Sequence, residues 1–90
     1  MSIVGDHPES GVRFVLERTE AGAYEGTAFT KDARFALVLT VAADGSVEAR
    51  GDPGAPAELL EKARLLVRTA LRHAEREGTE PPRRLMRWRA

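Results

Sequence analysis

Arginine carries most of the chemical potential in this chain. Arg64, Arg68, Arg72 and Arg76 recur every fourth residue, and Arg83, Arg84, Arg87 and Arg89 follow close behind. A guanidinium is a planar fork that donates two parallel hydrogen bonds to phosphate or carboxylate. Spacing by four lines the first set up along one flank of a helix. Trp88, set among Arg87 and Arg89, is of a type that stacks on a nucleic-acid base. Together, Arg64, Arg68, Arg72, Arg76, Arg83, Arg84, Arg87, Trp88 and Arg89 form a pattern suited to nucleic acid, a basic helix face plus a basic aromatic tail. A plainer reading competes with it. Glu58–Lys62, Glu61–Arg64 and Arg72–Glu75 are ordinary neighbouring pairs on a wet helix face, and Glu61 and Glu75 weaken the field of the row.

Other chemistry is sparse. There are no cysteines, which removes disulfides, thiolate metal sites and cysteine nucleophiles. His7 and His73 have no HExxH-type spacing and no cysteine nearby, so no metal site is expected. The serines Ser2, Ser10 and Ser46 belong to no catalytic motif, and the carboxylates are scattered rather than paired. "GDPGAP" at 51–56 lacks the lysine and glycine spacing of a phosphate loop, and "RGD" at 50–52 is read as coincidence. The expectation is therefore a non-enzymatic chain with no cofactor.

Net charge is zero but unevenly spread: residues 1–55 carry nine acids and five bases, and residues 56–90 carry five acids and nine bases. Such asymmetry can mark an anion-binding half. Arginine outnumbers lysine twelve to two, a bias that a GC-rich coding sequence produces without selection for binding. No run approaches the about 20 apolar residues of a membrane helix. "MSIVGDHPES" is not patterned as a secretory signal, so a cytoplasmic location without membrane contact is expected.

The elements that must position these residues read as one domain over 1–90, with a loose leader (1–10), a sheet (11–50), a helix (56–77) and a basic tail (79–90). "GVRFVLERT" (11–19), "YEGTAFT" (24–30), "RFALVLTVA" (34–42) and "SVEAR" (46–50) alternate as strands do. A two-residue loop at Ala21-Gly22 and three-residue loops at 31–33 and 43–45 would pair Phe14 with Phe29, Phe29 with Phe35, Val41 with Val47 and Leu39 with Ala49. One face then gathers Phe14, Leu16, Phe29, Phe35, Leu37, Leu39, Val41, Val47 and Ala49. The helix is expected to start at Pro56 and stop at Gly78. Its Leu59, Leu60, Ala63, Leu66, Val67, Ala70, Leu71 and Ala74 fall within an arc of about 140°. Only the apolar sheet face is wide enough to receive that stripe. Leu65 points outward.

The fold class expected is α+β: a four-stranded antiparallel meander with one long helix packed on one face, β-β-β-β-α. Leu85, Met86 and Trp88 are poor residues for a free arm, and "RLMRWR" alternates, so the tail can add a fifth short strand or a strap. The sheet's other face would show Val15, Tyr24, Gly26, Ala28, Ala36, Val38 and Thr40, rimmed by Arg13, Glu17, Arg34, Glu48 and Arg50. That is less polar than a solvent face should be. Val15, Tyr24, Ala28, Ala36 and Val38 are accordingly the expected protein-contact residues. The reading is a small binding or assembly module acting through protein contacts or self-association, with nucleic-acid binding as the alternative.

Overall fold

A computed structural model describes residue 8 and residues 10–89 of the chain. Most of the leader expected over 1–10, including His7, lies outside these residues. The order of elements is β1 (Val12–Arg18), β2 (Tyr24–Phe29), β3 (Arg34–Val41), β4 (Val47–Gly51), α1 (Ala57–Glu77) and β5 (Arg84–Arg89). The strands form one antiparallel sheet in the order β4-β3-β2-β1-β5. The α+β meander with a helix on one face is thus present, and the tail supplies the fifth strand.

Both edge strands, β4 and β5, run in the same direction, so the chain between them must cross the sheet and also return along it. The distance between edge strands is about 19 Å at normal strand spacing. A helix of 21 residues is about 31 Å long, enough for a diagonal crossing. It starts at Pro56, which lies in the extended region (φ −63°, ψ 143°) as the N-cap rather than the first helical residue. Proline loses nothing there: its carbonyl accepts from the N–H groups of Leu59 and Leu60, and no donor of its own is required. Glu58 sits in the first turn, against the positive end of the helix dipole. Gly78 ends the helix in the left-handed region (φ 69°), which suits glycine, and Thr79 N–H bonds the Ala74 carbonyl.

All eight stripe residues are inside. Leu59, Ala63, Leu66, Val67 and Ala74 are buried, and Leu60, Ala70 and Leu71 are half-buried against the core. The helix runs closest to β4 and then β3. Its later turns, through Leu66, Ala70 and Ala74, face Leu85 of β5 across a groove. Val12, Phe14 and Leu16 of β1, Leu37 and Leu39 of β3 and Val47 of β4 complete one continuous core.

The pairing of β3 with β4 is the expected one, with Val41 opposite Val47 and Leu39 opposite Ala49. The pairing of β2 is not. Phe14 lies opposite Ala28, and Ala28 opposite Phe35. Each flanking turn differs from expectation by one place. Thr19 N–H bonds the Ala23 carbonyl, with Ala23 N–H returning to Thr19 Oγ1, so the first connection is longer. Thr30 and Ala33 close the second turn through backbone and hydroxyl bonds. A slip of one residue turns every side chain of a strand over. Tyr24 and Ala28, expected on the outer face, are therefore buried beneath the helix, and Phe29 moves outward. The reason is volume. The expected register would stack three phenylalanines in a row. The observed rows are Phe14–Ala28–Phe35 and Leu16–Gly26–Leu37, large beside small beside large, which fills a close-packed layer without strain.

The tail is bound by the end of β1 and the start of β2. Pro81 and Pro82 lack N–H groups, so only their carbonyls need partners. Arg18 Nη1 donates to the Pro81 carbonyl at 3.0 Å and Tyr24 Oη to the Pro82 carbonyl at 2.5 Å. Arg18 N–H then bonds the Arg83 carbonyl and opens the ladder between β1 and β5. Burial holds the Tyr24 phenol above its usual ionisation range, with Arg18 opposing more weakly. The phenolate would face a carbonyl oxygen and lose its one donated bond. The unfolded chain ionises first, near pH 10, so Tyr24's contribution is intact below that and is lost as pH rises through the higher folded value. Tyr24→Phe is expected to lower stability by about 1 kcal/mol at neutral pH and to flatten the loss above about pH 10. Urea unfolding across pH 7 to 11 measures both; an unchanged alkaline slope would contradict the assignment.

Candidate functional site: the uncovered sheet face

With α1 on one face of the sheet, no other described element covers the second face. Strand alternation decides what it shows. Register places the residues in three rows across the strands. The first is Arg84–Glu17–Glu25–Val38–Arg50, the second Met86–Val15–Thr27–Ala36, and the third Trp88–Arg13–Phe29–Arg34. Thr40 and Glu48 pair beyond the first row. The middle row is thus small and apolar, between two rows that mix charge with large side chains.

Among the described residues, this face holds three of the four exposed large hydrophobic side chains: Val38 (45% exposed), Met86 (41%) and Trp88 (53%). The fourth, Leu65, stands on the helix on the far side of the sheet, so neither Met86 nor Trp88 covers it. A shallow depression runs over Val15, Thr27, Phe29, Ala36 and Val38. Trp88 is fixed rather than free, because its indole N–H donates to the Ser10 carbonyl at 2.9 Å. Arg84 reaches Glu17 at 3.1 Å and Arg50 reaches Glu48 at 3.2 Å, both in solvent, where such pairs add little. Ala36 N–H bonds the Asp52 carboxylate at 2.9 Å and ties the chain after β4 to this face.

Of the expected contact residues, Val15, Ala36 and Val38 lie on this face, while Tyr24 and Ala28 do not, being buried in the core. Phe29, Met86 and Trp88 join the three. The alternation of "RLMRWR" was the available signal for Met86 and Trp88. Nothing in "YEGTAFT" alone favours Phe29 over Tyr24 as the outward residue, since both parities carry one aromatic.

The nine residues suited to nucleic acid are dispersed. Arg64, Arg68 and Arg72 flank the helix beside the β3–β4 turn, at the β4 edge, with Glu75 and Asp44 among them. Arg64 grips Glu61 with two bonds, Nε to Oε1 at 2.9 Å and Nη2 to Oε2 at 2.5 Å. That pairing lowers the Glu61 carboxyl from its usual range and raises Arg64. Asp44 is likewise lowered, because its carboxylate accepts the Ser46 N–H and hydroxyl. Arg76 lies in the last helical turn and Arg83 just before β5. β5 is at the opposite edge and splits its own set: Arg84 and Trp88 stand on the open face, while Arg87 borders the groove beneath the helix. Arg89 closes the strand.

Among the described residues, no three of the types His, Asp and Glu stand together as a metal site. His73 borders the groove between α1 and β5 with Thr69 and Thr79. No helix among the described residues is long and apolar enough to cross a membrane. Fold and face together define a small α+β domain in which the described residues cover one sheet surface and leave the other uncovered. Against known proteins, the chain matches no family model, and no curated protein or solved structure shows significant similarity to it.

Proposed function

We propose that the chain is a small binding or assembly module, without catalysis, that docks a protein on the uncovered face of its sheet. The observation that carries this reading is the gathering of Val38, Met86 and Trp88 around the apolar middle row of one flat surface. Exposed apolar groups scattered singly need no explanation, whereas a contiguous set rimmed by charge marks a contact surface. Trp88, Met86 and the arginines of the rim are also types enriched at protein interfaces. The alternative, nucleic-acid binding, draws less support. Its arginines occupy opposite edges and both sides of the sheet, and Glu61, Glu75 and Asp44 dilute the helix row.

Two measurements test the reading. A photo-crosslinking residue at Met86, in the cells that make this chain, is expected to yield protein adducts, while one at Arg76 on the far side is not. Equal or absent yields from the two positions would overturn the proposal. Anisotropy with mixed single-stranded oligonucleotides at low salt is expected to show no binding. Binding that weakens steeply with added salt, as released counterions dictate, would favour the alternative.

A further inference from the structure

We infer that the occupant of the open face is a second copy of this chain, packed sheet to sheet about a two-fold axis that lies across the strands; this rests on the reading of that face as a contact surface. The charge pattern carries the argument. Glu17 and Glu25 are direct cross-strand neighbours. Like charges so placed are unfavourable within one molecule. Arg84 pairs with Glu17 only, and among the described residues Glu25 has no ion-pair partner. The opposite side of the apolar row holds Arg13 and Arg34, flanking Phe29.

Two axis directions lay this face on itself with strands aligned, and each can pass through the centre of the patch. An axis along the strands, through β2, sets Glu25 against Glu25, Arg84 against Arg50 and Arg13 against Arg34. Every directly opposed pair of charges is then alike, and Glu17 faces Val38. An axis across the strands, through the middle row, sets Glu17 against the second copy's Arg13 and brings Glu25 over its Phe29, beside Arg13 and Arg34. Arg84 then faces the indole of Trp88, an arrangement in which the cation meets the electron-rich ring face. Met86, Val15, Thr27 and Ala36 each meet their own counterparts, as a self-complementary interface requires. The second arrangement relieves the glutamate pair and leaves the apolar row dry.

Size sets the strength. Five strands about 4.8 Å apart and three rows about 6.8 Å apart give a patch of about 480 Å² per copy in projection. Standard interfaces bury about 800 Å² per partner, so the dimer is weak and exchanging, in the micromolar range.

Sedimentation of the full chain from about 5 to about 500 µM brackets that range and is expected to show a monomer–dimer equilibrium. Arg13→Glu would face Glu17 and Glu25, and Glu17→Arg would face Arg13, so each variant alone is expected to be monomeric. Mixed in equal amounts, they offer opposite charges at both contacts and are expected to restore a heterodimer. Far-UV circular dichroism checks that each variant is folded. If either is not, Thr27→Arg, which would meet its own copy at the axis, takes its place and must abolish the dimer. A wild-type monomer throughout, or variants that dimerise alone, or a mixture that stays monomeric, overturns the inference. A monomer that still crosslinks from Met86 to a different protein overturns the second copy while leaving the contact face standing.

Discussion

Gly26→Ala is expected to lower stability by about 3 kcal/mol or more, the upper range for atoms forced into a filled space. Gly26 lies in the middle of β2, opposite Leu16 on one side and Leu37 on the other. A Cβ built there would fall 2.0 Å from the Val15 carbonyl oxygen and 2.9 Å from the Leu16 Cα. Both are backbone atoms of β1, so no rotamer change removes the clash. The strands must separate, and the ladder that carries Phe14 and Leu16 into the core separates with them. A glycine inside a strand normally weakens it, and its presence here marks a close approach of two backbones. For a domain of this size the loss corresponds to a fall in Tm of about 12–24 °C. Gly54→Ala is the control, since nothing lies within 4 Å of its Cβ position and its φ is not positive. It is expected to shift stability by less than about 0.5 kcal/mol. Thermal melts of both proteins followed at 222 nm decide the matter. A Gly26→Ala protein melting beside the wild type would show that β1 and β2 can move apart freely, against the packing described above.

Ending the chain after Glu80 is expected to abolish cooperative folding. The cut removes the whole β1–β5 ladder from Val12–Arg89 to Glu17–Arg84 and the buried Leu85. It also removes the carbonyls that satisfy Tyr24 and Arg18. Losing the burial of Leu85 forfeits about 1.5–3 kcal/mol. Loss of the acceptor for the Tyr24 hydroxyl adds about 1 kcal/mol. A chain of this length has about 5–13 kcal/mol in all, and the lost strand pairing comes on top of the two terms above. β1 would also become a bare edge of alternating apolar residues, the form that recruits other strands. The truncated chain is therefore expected to melt without a sigmoidal transition and to scatter light as its concentration rises. A cooperative transition within a few degrees of the full chain would mean that β5 decorates the sheet rather than completing it.

The helix and the meander were legible because their patterns are local. All eight stripe residues sit in a span whose period no other element matches, and Gly78 marks its end unambiguously. β2 was not legible in the same way. "YEGTAFT" places an aromatic on each parity, so its own residues do not say which face is inward. The choice is made by groups far along the chain: Phe14 and Phe35 require the small Ala28 between them, and the phenol of Tyr24 finds its acceptor at Pro82. The two turns on either side each shift by one place to allow it. As a result, two of the five contact residues expected from the sequence, Tyr24 and Ala28, belong to the core. Val15, Ala36 and Val38 were placed correctly because β1 and β3 keep their faces when β2 turns over. The tail's strand character was visible in its alternation. Its partner was not, because β1 begins the sheet more than sixty residues earlier and pattern carries no information across that distance.

The pairing of the last strand with the first has a consequence for biosynthesis. A ribosome delivers β1 to β4 well before β5, so the nascent meander waits with one flank of β1 unsatisfied and Tyr24 lacking its acceptor. Closure of so long a loop is slow relative to local turns, and it cannot be completed until residue 89 has cleared the exit tunnel. The finished domain is therefore assembled after translation of its own sequence rather than during it.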